Sequence, residues 1–244
     1  MISLEKINKS FLGKNPILKD ISFNINKGDS VTIIGQSGVG KSVLLKHING
    51  LLKPDSGKVM VDNILINNLR YKDLQKVRKK MAMVFQFGAL FDSMNIEENI
   101  LLGLRNIENL SFENMRNRVE NSLDLVNLND INDKMPSEIS GGMKKRVGIA
   151  RAIAMSPEYI LYDEPTTGLD PITTDRINSL IKKVSQKRKV TSILVTHNMI
   201  TLKKVANKVI MLHEGNIIFN GNVDELYNTK DKFIQYFING EKNG

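Results

Sequence analysis

Residues 35–42 read Gly35-Gln36-Ser37-Gly38-Val39-Gly40-Lys41-Ser42, the pattern G-x-x-x-x-G-K-[ST]. Residue types in this order suit phosphate chemistry. The three glycines let the backbone take positive φ and approach an anion closely. The N–H groups at the start of a following helix would face that anion. Lys41 is placed to reach the β- and γ-phosphates of a nucleotide, and Ser42 to offer its hydroxyl to Mg²⁺. The same loop serves ATPases, GTPases and kinases.

Other positions could complete such a site. Tyr159-Ile160-Leu161-Tyr162-Asp163-Glu164 is an apolar run that ends in two carboxylates. Beside a phosphate loop, a strand-end Asp163 holds Mg²⁺ through water, and the acid after it, Glu164, orients or deprotonates the attacking water. Gln86 leaves the run Met81 to Phe85 and could bind Mg²⁺ or water, or be an ordinary polar strand end. His197 follows Val190 to Val195, at the end of a strand where sheet ligands sit; a γ-phosphate contact and a plain surface position both remain open. Ser140-Gly141-Gly142 opens a helix, either as a second anion site or as ordinary capping. Phe11 could stack on an adenine ring or anchor its loop. His47 and His213 receive no role.

These side chains need strands and helices to hold them. Val31 to Ile34 reads as a buried strand and Val43 to Ile48 as a helix, so the phosphate loop joins strand to helix. Ile2 to Ile7 and Ile17 to Ile25 read as strands before it. Lys53 to Gly57 is turn chemistry, followed by a hairpin at Lys58 to Val61 and Ile64 to Ile66 and a short basic helix at Leu74 to Lys80. Between Phe87 and Pro157 strand-like runs give way to helical spacing, at Asn95 to Leu104 and at Phe112 to Leu125 with Val119, Leu123 and Val126 on one face. Thr166 to Pro171 feeds another helix. A hairpin at Val209 to Leu212 and Ile217 to Phe219 precedes a short amphipathic helix at Phe233 to Ile238. The reading is three segments: 1–86, 87–157 and 158–244.

The chain has 244 residues, enough to bury a large core. It has no cysteine, which excludes a disulfide framework and thiolate metal sites and fits a reducing compartment. No apolar run approaches the ~18 residues of a membrane span. The first residues lack the form of a signal peptide. The expectation is a cytosolic protein. The net charge is +9, which permits attraction to anionic lipid or nucleic acid. The basic residues are spread over several helices, though, and no aromatic residues interleave with them as a stacking platform needs, so no nucleic-acid partner is expected.

Phe11, the loop Gly35 to Ser42, Gln86, Ile139-Ser140-Gly141-Gly142-Met143, Asp163-Glu164, Leu169-Asp170 and His197 form an ordered set that resembles the ATP-binding-cassette ATPases. The resemblance spans essentially the whole chain. It implies an α/β fold: a RecA-like P-loop NTPase core, an antiparallel β-subdomain and an inserted α-helical subdomain. It implies ATP and Mg²⁺, and a homodimer paired head to tail with two ATP molecules between the chains. One chain would supply Phe11 to the adenine, Gly35 to Val43 to the phosphates, and Ser42, Gln86 and Asp163 to the metal. Glu164 would be the general base, His197 would hold the γ-phosphate and water, and Asp170 would lie beside the nucleotide. The partner chain would supply Ser140, Gly141 and Gly142. Met143 stands where the family commonly has glutamine, Ile139 where it has leucine, and Phe11 where it has tyrosine; each keeps apolar or stacking character.

A finer resemblance is carried by Lys41 to Gly57, Val84 to Ser93, Ser140 to Val147 and Asp163 to Ile172. These are similar to the ATPases of the Mla (maintenance of lipid asymmetry) and Mce transporters. That family implies phospholipid transport between inner and outer membranes. Its partners are an integral-membrane permease dimer, a periplasmic Mce-domain protein and, in some members, a small cytosolic accessory subunit. The ATPase sits peripherally on the cytoplasmic face of the inner membrane. Phe87, Leu90, Phe91 and Met94 would form an apolar seat for the permease's coupling helix. The same engine also serves transporters of other small solutes. Cassettes that act on DNA or ribosomes carry a coiled-coil insertion between Lys41 and Asp163, or two cassettes in one chain, and neither is present.

Overall fold

The computed structural model describes residues 1–11, 16–105, 107 and 110–240. Two sheets carry the chain. In the first, β1 (Ile2–Lys9), β2 (Leu18–Ile25), β4 (Ser56–Val61) and β5 (Ile64–Leu65) pair antiparallel in the order β2-β1-β4-β5. In the second, β3 (Ser30–Ile34), β6 (Met81–Val84), β7 (Tyr159–Asp163), β8 (Thr191–Val195), β9 (Lys208–His213) and β10 (Asn216–Asn222) lie in the order β10-β9-β3-β8-β7-β6. All of these pair parallel except the β10 edge.

The β-branched runs explain the central strands. Every residue of β3 and of β8 is buried, as a parallel sheet covered on both faces requires. Alternation then divides each strand between two cores. Tyr159 and Leu161 face the core shared with the antiparallel sheet and α1 (Lys41–Ile48). Ile160 and Tyr162 face the core under the helical segment.

That segment consists of α3 (Ile96–Leu104), α4 (Phe112–Leu125) and α5 (Gly141–Ala154), after α2 (Tyr71–Arg78). Ile96, Ile100, Leu104, Val119, Leu123 and Val147 pack together, and the same core continues to Ile177 and Ile181 of α6 (Pro171–Arg188) on the sheet. The helical segment therefore shares its core with the nucleotide-fold sheet. On the outer side of β9, α7 (Met199–Val205), α8 (Val223–Tyr227) and α9 (Lys232–Asn239) close the chain. An eight-residue helix is marginal alone. Burial of Ile234 and Ile238 against Met211 and Leu226 anchors α9, at about 2 kcal/mol for each such side chain.

Some boundaries differ from the sequence expectation, and two short helices add to it. The turn at Lys53 ends earlier, because Ser56 already pairs with Asn8 of β1. Gly57, with φ 94°, sits at a bulge where a Cβ would stand 2.3 Å from the Lys6 carbonyl oxygen. The basic helix begins at Tyr71, where Arg70 offers no capping side chain to mark the start. The short helices α7 and α8 follow Asn198 and Asn222, whose side chains accept from Thr201 N and Glu225 N.

Candidate nucleotide-binding site

The loop after β3 is shaped by steric necessity. At Gly35, φ is 147° and a Cβ would lie 2.4 Å from the Leu212 carbonyl oxygen on β9. Only a glycine lets the loop pass this strand. At Gly40, φ is 105° and a Cβ would meet Ile17 and Leu18 at about 3 Å. Gly40 also caps α1 without a side-chain hydrogen bond, and the first turn holds no acidic residue. Helices α3, α4, α5 and α6 are capped instead by Asn95, Ser111, Ser140 and Asp170. The N–H groups of α1 that no side chain caps, and its positive dipole end, thus suit an external anion.

Lys41 is 6% exposed. Its Nζ donates to the Gly35 and Gln36 carbonyls, each at 2.9 Å, and lies 3.9 Å from Glu164 Oε1. Burial pulls its ammonium below the ordinary value, opposed by the charges of Glu164 and Asp163. Ser42 Oγ donates to Asp163 Oδ1 at 2.7 Å. Two hard oxygen groups thus sit side by side next to the phosphate loop, a donor set suited to Mg²⁺.

Glu164 is held on several sides. It takes a left-handed backbone, φ 49°, with its N–H on the Val195 carbonyl. Thr167 Oγ1 donates to Oε2 at 3.0 Å, and His197 Nδ1 pairs with Oε1 at 3.0 Å. The parallel pairing of β7 with β8, Asp163 opposite Val195, brings the glutamate and the histidine to adjacent strand ends. A cleft of about 370 Å³ opens here. It is lined by Ser37, Gly38, Gly40, Lys41, Ser42, Val43, Gln86, Glu164, Thr167 and His197, together with Ile17.

Not every residue singled out in the sequence lies in that cleft. Gln36 contributes its carbonyl to Lys41, and Val39 donates its N–H back to Gln36. Phe11 lies outside the lining, with Lys9 Nζ over its ring at 5.4 Å. Ser140 caps α5 by accepting from Met143 N, and neither it nor Gly141 nor Gly142 lines the cleft. Asp170 caps α6 by accepting from Thr173 N. Sequence reasoning missed Thr167 and Ile17. Thr167 had a local signal, a hydroxyl three residues after the glutamate in a turn; Ile17 had none, since its place depends on the packing of β2 against the loop. His47, without an assigned role, is buried, its Nδ1 donating to Val43 O at 2.7 Å.

This fold and site define a P-loop nucleotide hydrolase of the cassette type, and comparison with known proteins agrees. The family model described as ABC transporter matches residues 18–167. The methionine import ATP-binding protein MetN of Legionella pneumophila is 41% identical over 238 residues, 98% of this chain and 69% of that protein. The energy-coupling factor transporter ATP-binding protein EcfA2 of Clostridium tetani is 38% identical over 238 residues, covering 94% of this chain and 82% of that protein. Among solved structures, the dimeric post-hydrolysis state of the ATP-binding cassette MJ0796 bound to ADP and Pi superposes with a TM-score of 0.82 at 33% identity, over 91% of this chain and 99% of that one. CbiO1 of Clostridium perfringens, part of the ABC transporter complex cbiONQ, gives 0.85 at 32%, over 96% and 93%. The chain belongs to the ABC transporter family and is an ATPase subunit of that family.

Proposed function

We propose that the chain hydrolyses ATP as one half of a head-to-tail dimer and so drives a permease in the membrane. The observation that carries this reading is the division of the site. The phosphate loop, Ser42, Gln86, Glu164 and His197 converge in one cleft, while Ser140 and Gly142 stand outside it on α5. A second copy placing its α5 N-terminus over the cleft completes the site, and the relative solved with ADP and Pi is a dimer.

In this reading the N-terminal end of α1 and Lys41 hold the phosphates, Phe11 stacks on adenine, and Ser42, Gln86 and Asp163 hold Mg²⁺. When bound, Mg²⁺ neutralises charge on the phosphate oxygens. Glu164 takes a proton from the attacking water, and His197 and Thr167 hold its carboxylate in place. Asp170 lies beside the nucleotide at the dimer seam. The segments 1–86 and 158–244 form the nucleotide-binding core, and 87–157 carries the signature helix to the partner chain.

The permease seat is the loop at residues 87–95. Buried Asn99 donates to the carbonyls of Phe91, Met94 and Asn95 and accepts from Phe91 N. Arg151 donates to Gly88 O and Ala89 O. The backbone is fixed from beneath while Phe87 and Phe91 stay exposed, as a docking patch requires. Among the described residues no helix is long and apolar enough to cross a membrane. Attachment through this patch, peripheral and on the cytoplasmic face of the inner membrane, fits that.

For the cargo, the names of the relatives favour a small solute: methionine import and energy-coupling factor transport. A second reading, phospholipid moved with an Mce-domain protein and a small accessory subunit, is supported by the Val84 to Ser93 and Ser140 to Val147 segments. Purification of the tagged chain from membranes in mild detergent decides between them. A permease with a solute-binding partner supports the first reading. A permease with an Mce-domain protein and extractable phospholipid supports the second. Recovery without any membrane protein would refute both.

A further inference from the structure

Lys145 is an unusual residue to find inside α5. It is 6% exposed, in the second turn of a helix whose N-terminal end is already positive. Burial pulls its ammonium below the ordinary value, and the charge of Glu164 pulls the other way. A buried cation is costly unless a partner holds it. The partner here is a backbone oxygen: Nζ donates to the Thr167 carbonyl at 2.5 Å.

Thr167 faces two ways. Its carbonyl takes the lysine, and its hydroxyl donates to Glu164 Oε2. Two hydrogen bonds therefore run from the signature helix through one residue to the carboxylate proposed as the base. Glu164 itself sits on a left-handed backbone in a short turn, with Thr167 N on the Glu164 carbonyl at 3.3 Å. Such a turn has little to fix it except its outward contacts. An apolar residue of the same length at position 145 would pack without the desolvation penalty and would leave the Thr167 carbonyl unheld.

We infer that Lys145 is a positioning residue for ATP hydrolysis, fixing the Thr167 turn so that Glu164 keeps its geometry toward the attacking water. This rests on Glu164 being the base. It also ties the helix that reaches the partner's nucleotide to the base of its own chain.

The test uses the membrane complex isolated through a tag on this chain. Lys145→Met should lower kcat about tenfold or more, the scale of a misplaced catalytic group. KM for ATP should stay within about twofold, since no phosphate contact is removed. The melting temperature should hold or rise, because a buried charge is gone. Lys145→Gln, which keeps a donor, should recover part of the rate. Thr167→Val should show the same kcat loss, and the double variant should be no worse than the weaker single one. Lys145→Met at near the original kcat would overturn the inference. So would a kcat loss matched by lower ATP affinity and melting temperature, which is ordinary packing. Glu164→Gln in the same assay checks the reading beneath: if it still turns over, the base is misassigned whatever Lys145 does.

Discussion

Ser42 Oγ and Asp163 Oδ1 are 2.7 Å apart, joined by a hydrogen bond that spans 121 positions of the chain. One residue is in the first turn of α1, which follows β3, and the other ends β7; β8 lies between those two strands. The pair sets two oxygens side by side next to the phosphate loop. Ser42→Ala should therefore act on the metal rather than on the nucleotide. The Mg²⁺ concentration for half-maximal ATPase activity should rise about tenfold, the loss of one hydrogen-bonding or ligating group, while nucleotide binding without Mg²⁺ changes little. A magnesium titration of ATPase rate checks this, and an unchanged midpoint would remove Ser42 from the metal site.

Glu164→Gln keeps the shape of the side chain and one acceptor oxygen but cannot take a proton. Turnover should fall about 100-fold or more, the typical contribution of a general base. ATP binding should survive, and the variant should accumulate as an ATP-bound dimer by light scattering. Lys41→Ala should do the reverse, weakening ATP binding at least about tenfold through loss of a charge-assisted contact.

Asn99 makes four hydrogen bonds to the loop that presents Phe87 and Phe91. Asn99→Ala takes the side-chain partner from Phe91 N and Met94 O, while Phe91 O and Asn95 O keep backbone bonds, and should cost about 2 kcal/mol of stability. Phe87→Ala touches an exposed ring and should leave the melting temperature unchanged. Both should reduce recovery of the membrane partner with the tagged chain. If Phe87→Ala retained full recovery, the seat would lie elsewhere.

Acid sensitivity has a defined origin in Asp62. Burial alone would raise its carboxyl, but hydrogen bonds from Tyr159 Oη, Lys80 and the Met1 amino group outweigh it and hold the group well below the usual carboxylate range. Because the folded value is depressed, the carboxylate stabilises the fold fully above the unfolded value near 4 and loses that contribution as pH falls below it. Asp62→Asn should lower stability at neutral pH by about 2 kcal/mol and flatten its decline between about pH 4 and pH 2. Urea midpoints across that range read both effects. A parallel downward shift with undiminished slope would place the acid-sensitive group elsewhere.

Periodicity and turn chemistry alone placed most strands and helices. Residues such as Val31 to Ile34 are β-branched and uniformly apolar, and Ser140, Asp170 and Asn95 announce helix starts through their own side chains. The phosphate loop and the Asp163-Glu164 pair were legible for the same reason: their chemistry is written in consecutive residues. What consecutive residues cannot encode is the strand order β9-β3-β8-β7, set by which buried faces pack together. That order alone brings Ser42 to Asp163 and His197 to Glu164. Other contacts stay hidden in the same way: the 2.4 Å approach that forces glycine at 35, the bulge at Gly57, and the buried Lys145 on the Thr167 carbonyl. Each is a contact between segments far apart in the chain, so only the folded packing decides it.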